Sequence, residues 1–173
     1  SHPIEQEVKN PAEIGELFDA ISYSKGGSIL RMLEQFLGPE VFRRGIQRYL
    51  SDHKYGNART SDLWDALGAA SGQRVAAMMD TWVNQTGYPV LDVRVARNQG
   101  MVEVTGSQNR FLFERVGGEV SPDEALWHVP FSARSADGPE ASSVLMDGRE
   151  ATVQLKSRPD SPAGWIKVNP GQT

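Results

Sequence analysis

The sequence predicts an α+β chain, helices first and a small antiparallel β-sandwich after them. Three observations carry this. Between residues 11 and 86 apolar residues recur three and four apart, the spacing of one helix face. From Tyr88 onward they alternate with polar residues, the period of a half-buried strand. The change of period falls beside Pro89, which divides the chain into residues 1–88 and 89–173.

The elements follow in order. Pro11 opens a first helix, with Glu13 and Glu16 in its early turns, where negative charge suits the positive end of the helix dipole. Glu13, Glu16 and Asp19 read as a solvated acidic face. A second helix contains FDAISYSKGGSILRML, Phe18 to Leu33, and stops near Gly38. Ile29, Leu33 and Leu37 give its apolar stripe, with Met32 and Phe36 beside them. Pro39 starts a third helix, with Val41, Phe42, Ile46, Tyr49 and Leu50 on one side. Tyr55 to Arg59 is a loop. Thr60 or Ser61 is suited to cap a fourth helix that ends at Gly72, and a fifth runs to Gly87.

In the second half, Val90, Val93 and Val95 alternate up to a turn at Asn98–Gly100, and Val102 and Val104 continue beyond it. LWHVPFSARS, ASSVLMDGREATVQLK and GWIKVN repeat the pattern, with Asp147–Gly148 as a hairpin signal. About six or seven short strands are expected, the number of a small sandwich. Trp127 and Trp165 lie in strand-like segments and are expected to fill its core.

Composition narrows the function. Of 173 residues 39% are hydrophobic and 23% charged, enough for a real core. A net charge of −4 gives no general attraction for nucleic acid or anionic membrane. With no cysteine, disulfides and thiolate metal sites are excluded. No apolar run approaches the roughly 20 residues of a membrane span. The N-terminus SHPIEQEVKN has neither the basic nor the apolar part of a signal peptide, and both ends read as cut. A cytoplasmic location is expected.

Few motifs carry chemistry. The histidines are His2, His53 and His128, and no H-E-x-x-H is present, so no zinc is expected to be bound by this chain alone. Ser22 and Lys25 fit S-x-x-K, and Tyr55–Gly56–Asn57 mimics the Y-x-N element of serine–lysine acylases, but their K-T-G is absent. The unusual local feature is Gly26–Gly27. Each glycine costs about 1 kcal/mol relative to alanine inside a helix. They lie three and four residues after Tyr23, and so on its face of the helix. That clears the surface beside the ring for another backbone or a ligand. A tyrosine hydroxyl is a hydrogen-bond donor at pH 7, able to stabilise the oxyanion of a tetrahedral intermediate.

The runs SHPI, FDAISYSKG, YGNARTSDLW, TWVNQTGYP and LWHVP stand in an order and spacing that resembles the zinc aminopeptidases of the gluzincin class. This is the family of aminopeptidase N and of the puromycin-sensitive, endoplasmic-reticulum and tricorn-associated aminopeptidases, and the likeness extends over essentially the whole chain. The resemblance implies that residues 1–88 are the end of a thermolysin-like catalytic domain and residues 89–173 the family's β-sandwich domain. It implies a parent enzyme that removes N-terminal residues from peptides. Its zinc would be held by H-E-x-x-H and a downstream glutamate, and a G-x-M-E-N motif would anchor the substrate amine; none of these is in this sequence. The tyrosine that stabilises the oxyanion in this family maps onto Tyr23, the one catalytic residue expected here. The partners implied are a peptide substrate and the remaining domains of the same enzyme. The chain alone should be inactive. The alternative is a stand-alone, non-enzymatic module that binds peptides or partner subunits. No role is carried over for Lys25.

Overall fold

The structure, a computed structural model, describes residues 3–4, 20–98, 100–111, 125–138, 140–157 and 164–171. The chain forms two compact units, one running through Gln85 and the other starting at Thr86. Helices fill the first and antiparallel strands the second, the mixed α+β class that the change of period predicts. The helix expected from Pro11, with Glu13, Glu16 and Asp19, lies outside the described residues.

The described helices are α1 (Ala20–Leu37), α2 (Pro39–Asp52), α3 (Thr60–Ser71) and α4 (Val75–Val83). Their core is built from Ile29, Met32 and Leu33 of α1, Trp64, Ala66 and Leu67 of α3, and Val75, Met78, Met79 and Val83 of α4. Pro39 occupies the start of α2, where its missing N–H costs nothing. The buried residue of α2 is Gly45, and Val41, Phe42, Ile46 and Tyr49 of the expected apolar face are half-buried around it. A Cβ there would stand 2.6 Å from Leu67 Cδ2 and 3.1 Å from Leu67 Cα, so α2 and α3 meet where only glycine fits. Leu50, five residues and about 140° further round the helix, is left 61% exposed.

Two helix ends differ from expectation. The N-cap of α3 is Arg59 rather than Thr60 or Ser61. The Asp62 carboxylate reaches back and accepts the Arg59 backbone N–H at 2.7 Å, satisfying an end donor from inside the helix. Helix α4 stops at Val83 instead of running to Gly87. There the Asn84 side-chain amide donates to Asp80 Oδ1 at 2.6 Å and its backbone N–H to Asp80 O at 3.2 Å. The expected stop at Gly72 is present: its φ is 71°, and its N–H donates to Gly68 O at 2.8 Å.

The second unit holds β1 (Tyr88–Asn98), β2 (Met101–Phe111), β3 (Val129–Ser135), β4 (Ser142–Met146), β5 (Glu150–Lys156) and β6 (Ile166–Val168). They form two three-stranded antiparallel sheets, ordered β1-β2-β5 and β4-β3-β6. The β1–β2 hairpin pairs Tyr88 with Phe111 at one end and Asn98 with Met101 at the other. Facing residues of the two sheets are buried: Val102, Val104, Val153 and Leu155 from one, Val129, Phe131, Ala133 and Met146 from the other. Gly106 lets them approach, since a Cβ there would come within 3.0 Å of the Phe131 ring. Burial is concentrated on β2 rather than β1, whose Val90, Val93 and Val95 are 42%, 40% and 48% exposed.

Asp147–Gly148 is not a hairpin turn. It lies on the corner by which the chain leaves one sheet and enters the other, because β4 pairs with β3 while β5 pairs with β2. Gln108, buried at 1% exposure, fastens this corner. Its side-chain amide donates to Gly148 O at 2.6 Å and to Trp127 O at 2.9 Å, and its Oε1 accepts the Trp127 N–H at 2.9 Å. The Gln108 backbone N–H donates to Arg149 O at 2.9 Å. With both ends of the amide used, a buried polar group is stabilising rather than costly.

Trp127 is fully buried, as expected. Trp165 is not a core residue: it is 54% exposed. It precedes the three-residue edge strand β6, and its ring lies under the Arg134 guanidinium, 5.3 Å from the centroid.

Candidate functional site

The site begins as a property of α1. Among its described side chains, the buried ones are Ile29, Met32 and Leu33, all on the C-terminal side of Gly26–Gly27. These bind that half of the helix to the unit. Before the glycines, the side chains described are those of Tyr23, Ser24 and Lys25. Tyr23 is 69% exposed, and Gly27 and Leu30 continue its face one and two turns on, Leu30 at 37% exposure. No described atom lies within 4 Å of where a Cβ on Gly26 or Gly27 would stand. Among the described residues, then, this strip of helix is uncovered at the two glycines and carries the Tyr23 phenol at one end.

Lys25 is two residues from Tyr23, so it leaves the helix on the other side. Its Nζ donates to Gln85 O at 3.1 Å. Gln85 is itself fixed, since its side-chain amide donates to Thr81 O in the last turns of α4 at 3.0 Å. The ammonium thus meets a carbonyl just beyond the C-terminal end of α4, where the helix dipole favours a cation. No residue pattern by itself signals this join. Its only trace was that SYSKG and WVNQTGYP both belong to the resemblance.

Other sequence candidates lie elsewhere. His2 and Ser22 are outside what is described for side chains. His53 closes the end of α2, its Nε2 3.8 Å from Asp62 Oδ2. His128 precedes β3. Tyr55, from the Y-x-N element, is 98% exposed in the loop after α2. Among the described residues no three of His, Cys, Asp or Glu come together as metal ligands. The described residues do not make a zinc site by themselves. No described helix is long and apolar enough to cross a membrane.

The described geometry is a helical unit that presents Tyr23 on one face of α1, and a separate two-sheet β unit. The sequence model of the peptidase family M1 domain matches residues 1–82, which include all of that strip. The chain belongs to this family, the gluzincin aminopeptidases. It is 44% identical to aminopeptidase 2 of Candida albicans over all of its own length, which is 18% of that protein. It is 42% identical to the tricorn protease-interacting factor F2 of Thermoplasma acidophilum, with 98% of this chain and 20% of that protein aligned. With the glutamyl aminopeptidase of Rattus norvegicus the identity is 41%, over 98% of this chain and 17% of that protein. The chain thus spans about a fifth of the length of these relatives.

Proposed function

We propose that this chain is the oxyanion-stabilising and β-sandwich portion of a zinc aminopeptidase, with Tyr23 as its catalytic residue. The observation that carries the reading is the exposed Tyr23 on a strip kept bare by Gly26 and Gly27, inside the stretch that matches the family model. In this reading the zinc, the general base and the amine anchor come from other parts of the same polypeptide. The zinc would activate the attacking water. Tyr23 would donate its phenolic hydrogen to the oxygen of the scissile carbonyl as that oxygen gains charge. Residues 1–88 would complete the catalytic domain, residues 89–173 would space and support it, and the substrate would be a peptide with a free N-terminus.

The decisive experiment is Tyr23→Phe in the whole aminopeptidase. Loss of one oxyanion donor typically lowers kcat by about 10²–10³. That loss, with KM and folding near wild type, is the expected outcome; near-wild-type turnover overturns the assignment. The 173-residue chain alone is expected to show no aminopeptidase turnover and no stoichiometric zinc. A polypeptide of 19.0 kDa in source cells, rather than one several times larger, would favour a stand-alone binding module using the same strip. Fractionation of those cells tests the cytoplasmic placement, which a membrane or organelle signal would overturn.

A further inference from the structure

We infer that Lys25 is a positioning residue for Tyr23: its bond to Gln85 O fixes the rotation and axial position of the tyrosine-bearing turn of α1. The inference rests on the reading of Tyr23 just given and extends it to a residue with no assigned role.

The buried apolar anchors described on α1, Ile29, Met32 and Leu33, all follow the glycine pair. Among the described residues, Gly26 and Gly27 have no neighbour within 4 Å of a would-be Cβ. Glycine is also the residue with most backbone freedom to lose. Two adjacent glycines therefore make an intrinsically soft joint just behind Tyr23. An oxyanion donor tolerates little softness, because a displacement of about 1 Å can cost about 10²-fold in rate.

Lys25 lies on the near side of that joint, in the turn that carries Tyr23, and reaches the opposite way. Its Nζ donates to Gln85 O at 3.1 Å, a charge-assisted bond across 60 residues of sequence. The receiving carbonyl is stationary, since Gln85 is tied to Thr81 O and α4 is held by Val75, Met78, Met79 and Val83 in the core. The tether therefore refers the tyrosine to the rigid part of the unit, while the glycines keep the outer face bare. A long lysine stem with a point-like ammonium suits a single carbonyl acceptor.

The test is a double-mutant cycle in the whole aminopeptidase, with Tyr23→Phe, Lys25→Met and the pair, read as kcat and KM separately. Lys25→Met keeps the apolar stem and removes the donor. It is expected to lower kcat about tenfold or more with KM held within about twofold. In the Tyr23→Phe background it should cost less than about twofold further, because the residue it positions has already lost its hydroxyl. Lys25→Arg, which keeps a donor, should recover most of the loss. Additive losses, an effect confined to KM, no recovery by Lys25→Arg, or a Lys25→Met enzyme that does not fold would each overturn the inference. If Tyr23→Phe alone leaves turnover intact, it is the reading of Tyr23 that fails.

Discussion

Two glycine positions in the helical unit invite comparison. Gly45 lies mid-helix in α2 and is buried, with Leu67 so close that a Cβ would stand 2.6 Å from its Cδ2. Gly26 and Gly27 lie mid-helix in α1 and face no described atom within 4 Å. Each carries the same helix-propensity cost, about 1 kcal/mol relative to alanine. At Gly45 the return is visible inside the unit, in the close packing of α2 on α3. At Gly26–Gly27 no return is visible there. On our reading the space is kept for the substrate and the metal-bearing part of the enzyme.

The comparison can be broken at either site. The largest effect is expected from Gly27→Leu in the whole aminopeptidase. A side chain filling the strip should lower kcat/KM by about 10²-fold or more, while the same change should not destabilise the isolated chain, since helix propensity improves. Loss of the fold instead would show that the strip is packed by the chain itself. Next is Gly45→Val in the isolated chain. Overpacking against Leu67 should cost about 1–3 kcal/mol in urea unfolding; an unchanged midpoint would mean that α2 can move away freely. Gly27→Ala sharpens the contrast. It should stabilise the isolated chain by up to about 1 kcal/mol, because helix propensity improves and nothing is struck. Gly45→Ala gains the same propensity but meets Leu67, and should be less stable than Gly27→Ala.

The smallest effect belongs to the exposed face of α2. The Arg43 guanidinium donates to the Glu40 carboxylate at 2.8 Å and holds its pKa below the usual 4.5, through that hydrogen bond first and charge second. A depressed carboxylate pKa stabilises the fold above the unfolded-state value. The contribution is lost as pH falls through the folded-state value. Glu40→Gln should remove that slight acid-side slope and leave stability at neutral pH almost unchanged, as for most exposed pairs. A clear loss at pH 7 would show that the pair matters more than its exposure suggests.

Much of the fold was legible because its signals are local. Ile29, Met32 and Leu33 at helical spacing, the break at Gly38–Pro39 and the stop at Gly72 each depend on a few neighbouring residues. The same holds for alternation through Val102 and Val104. What misled the reading depended on distant partners. Trp127 and Trp165 both look like strand residues, and only the stacking of the two sheets decides that the first is buried and the second exposed. Asp147–Gly148 has the composition of a hairpin turn, yet β5 crosses to β2, and Gln108, 40 residues before Gly148, donates a hydrogen bond to that corner. Thr60 and Ser61 looked like natural caps, but Asp62 had already met the need from the other side. Of the site, Tyr23 was accessible through family likeness and the glycine pair through helix propensity. Lys25 was not, because its meaning lies in the Gln85 carbonyl, a backbone atom that no residue letter reveals.

Gln108 has one more consequence, and it concerns cooperativity. Its amide and backbone touch Trp127, Gly148 and Arg149, three places in the chain that would otherwise answer to different sheets. The sheets cannot separate at this corner without opening those bonds, of which the two to Trp127 are buried. The β unit should therefore melt as a single body. The backbone amide hydrogens of Gln108 and Trp127 should exchange with deuterated solvent only when the whole unit opens, while those along the exposed β1 edge exchange by local fraying.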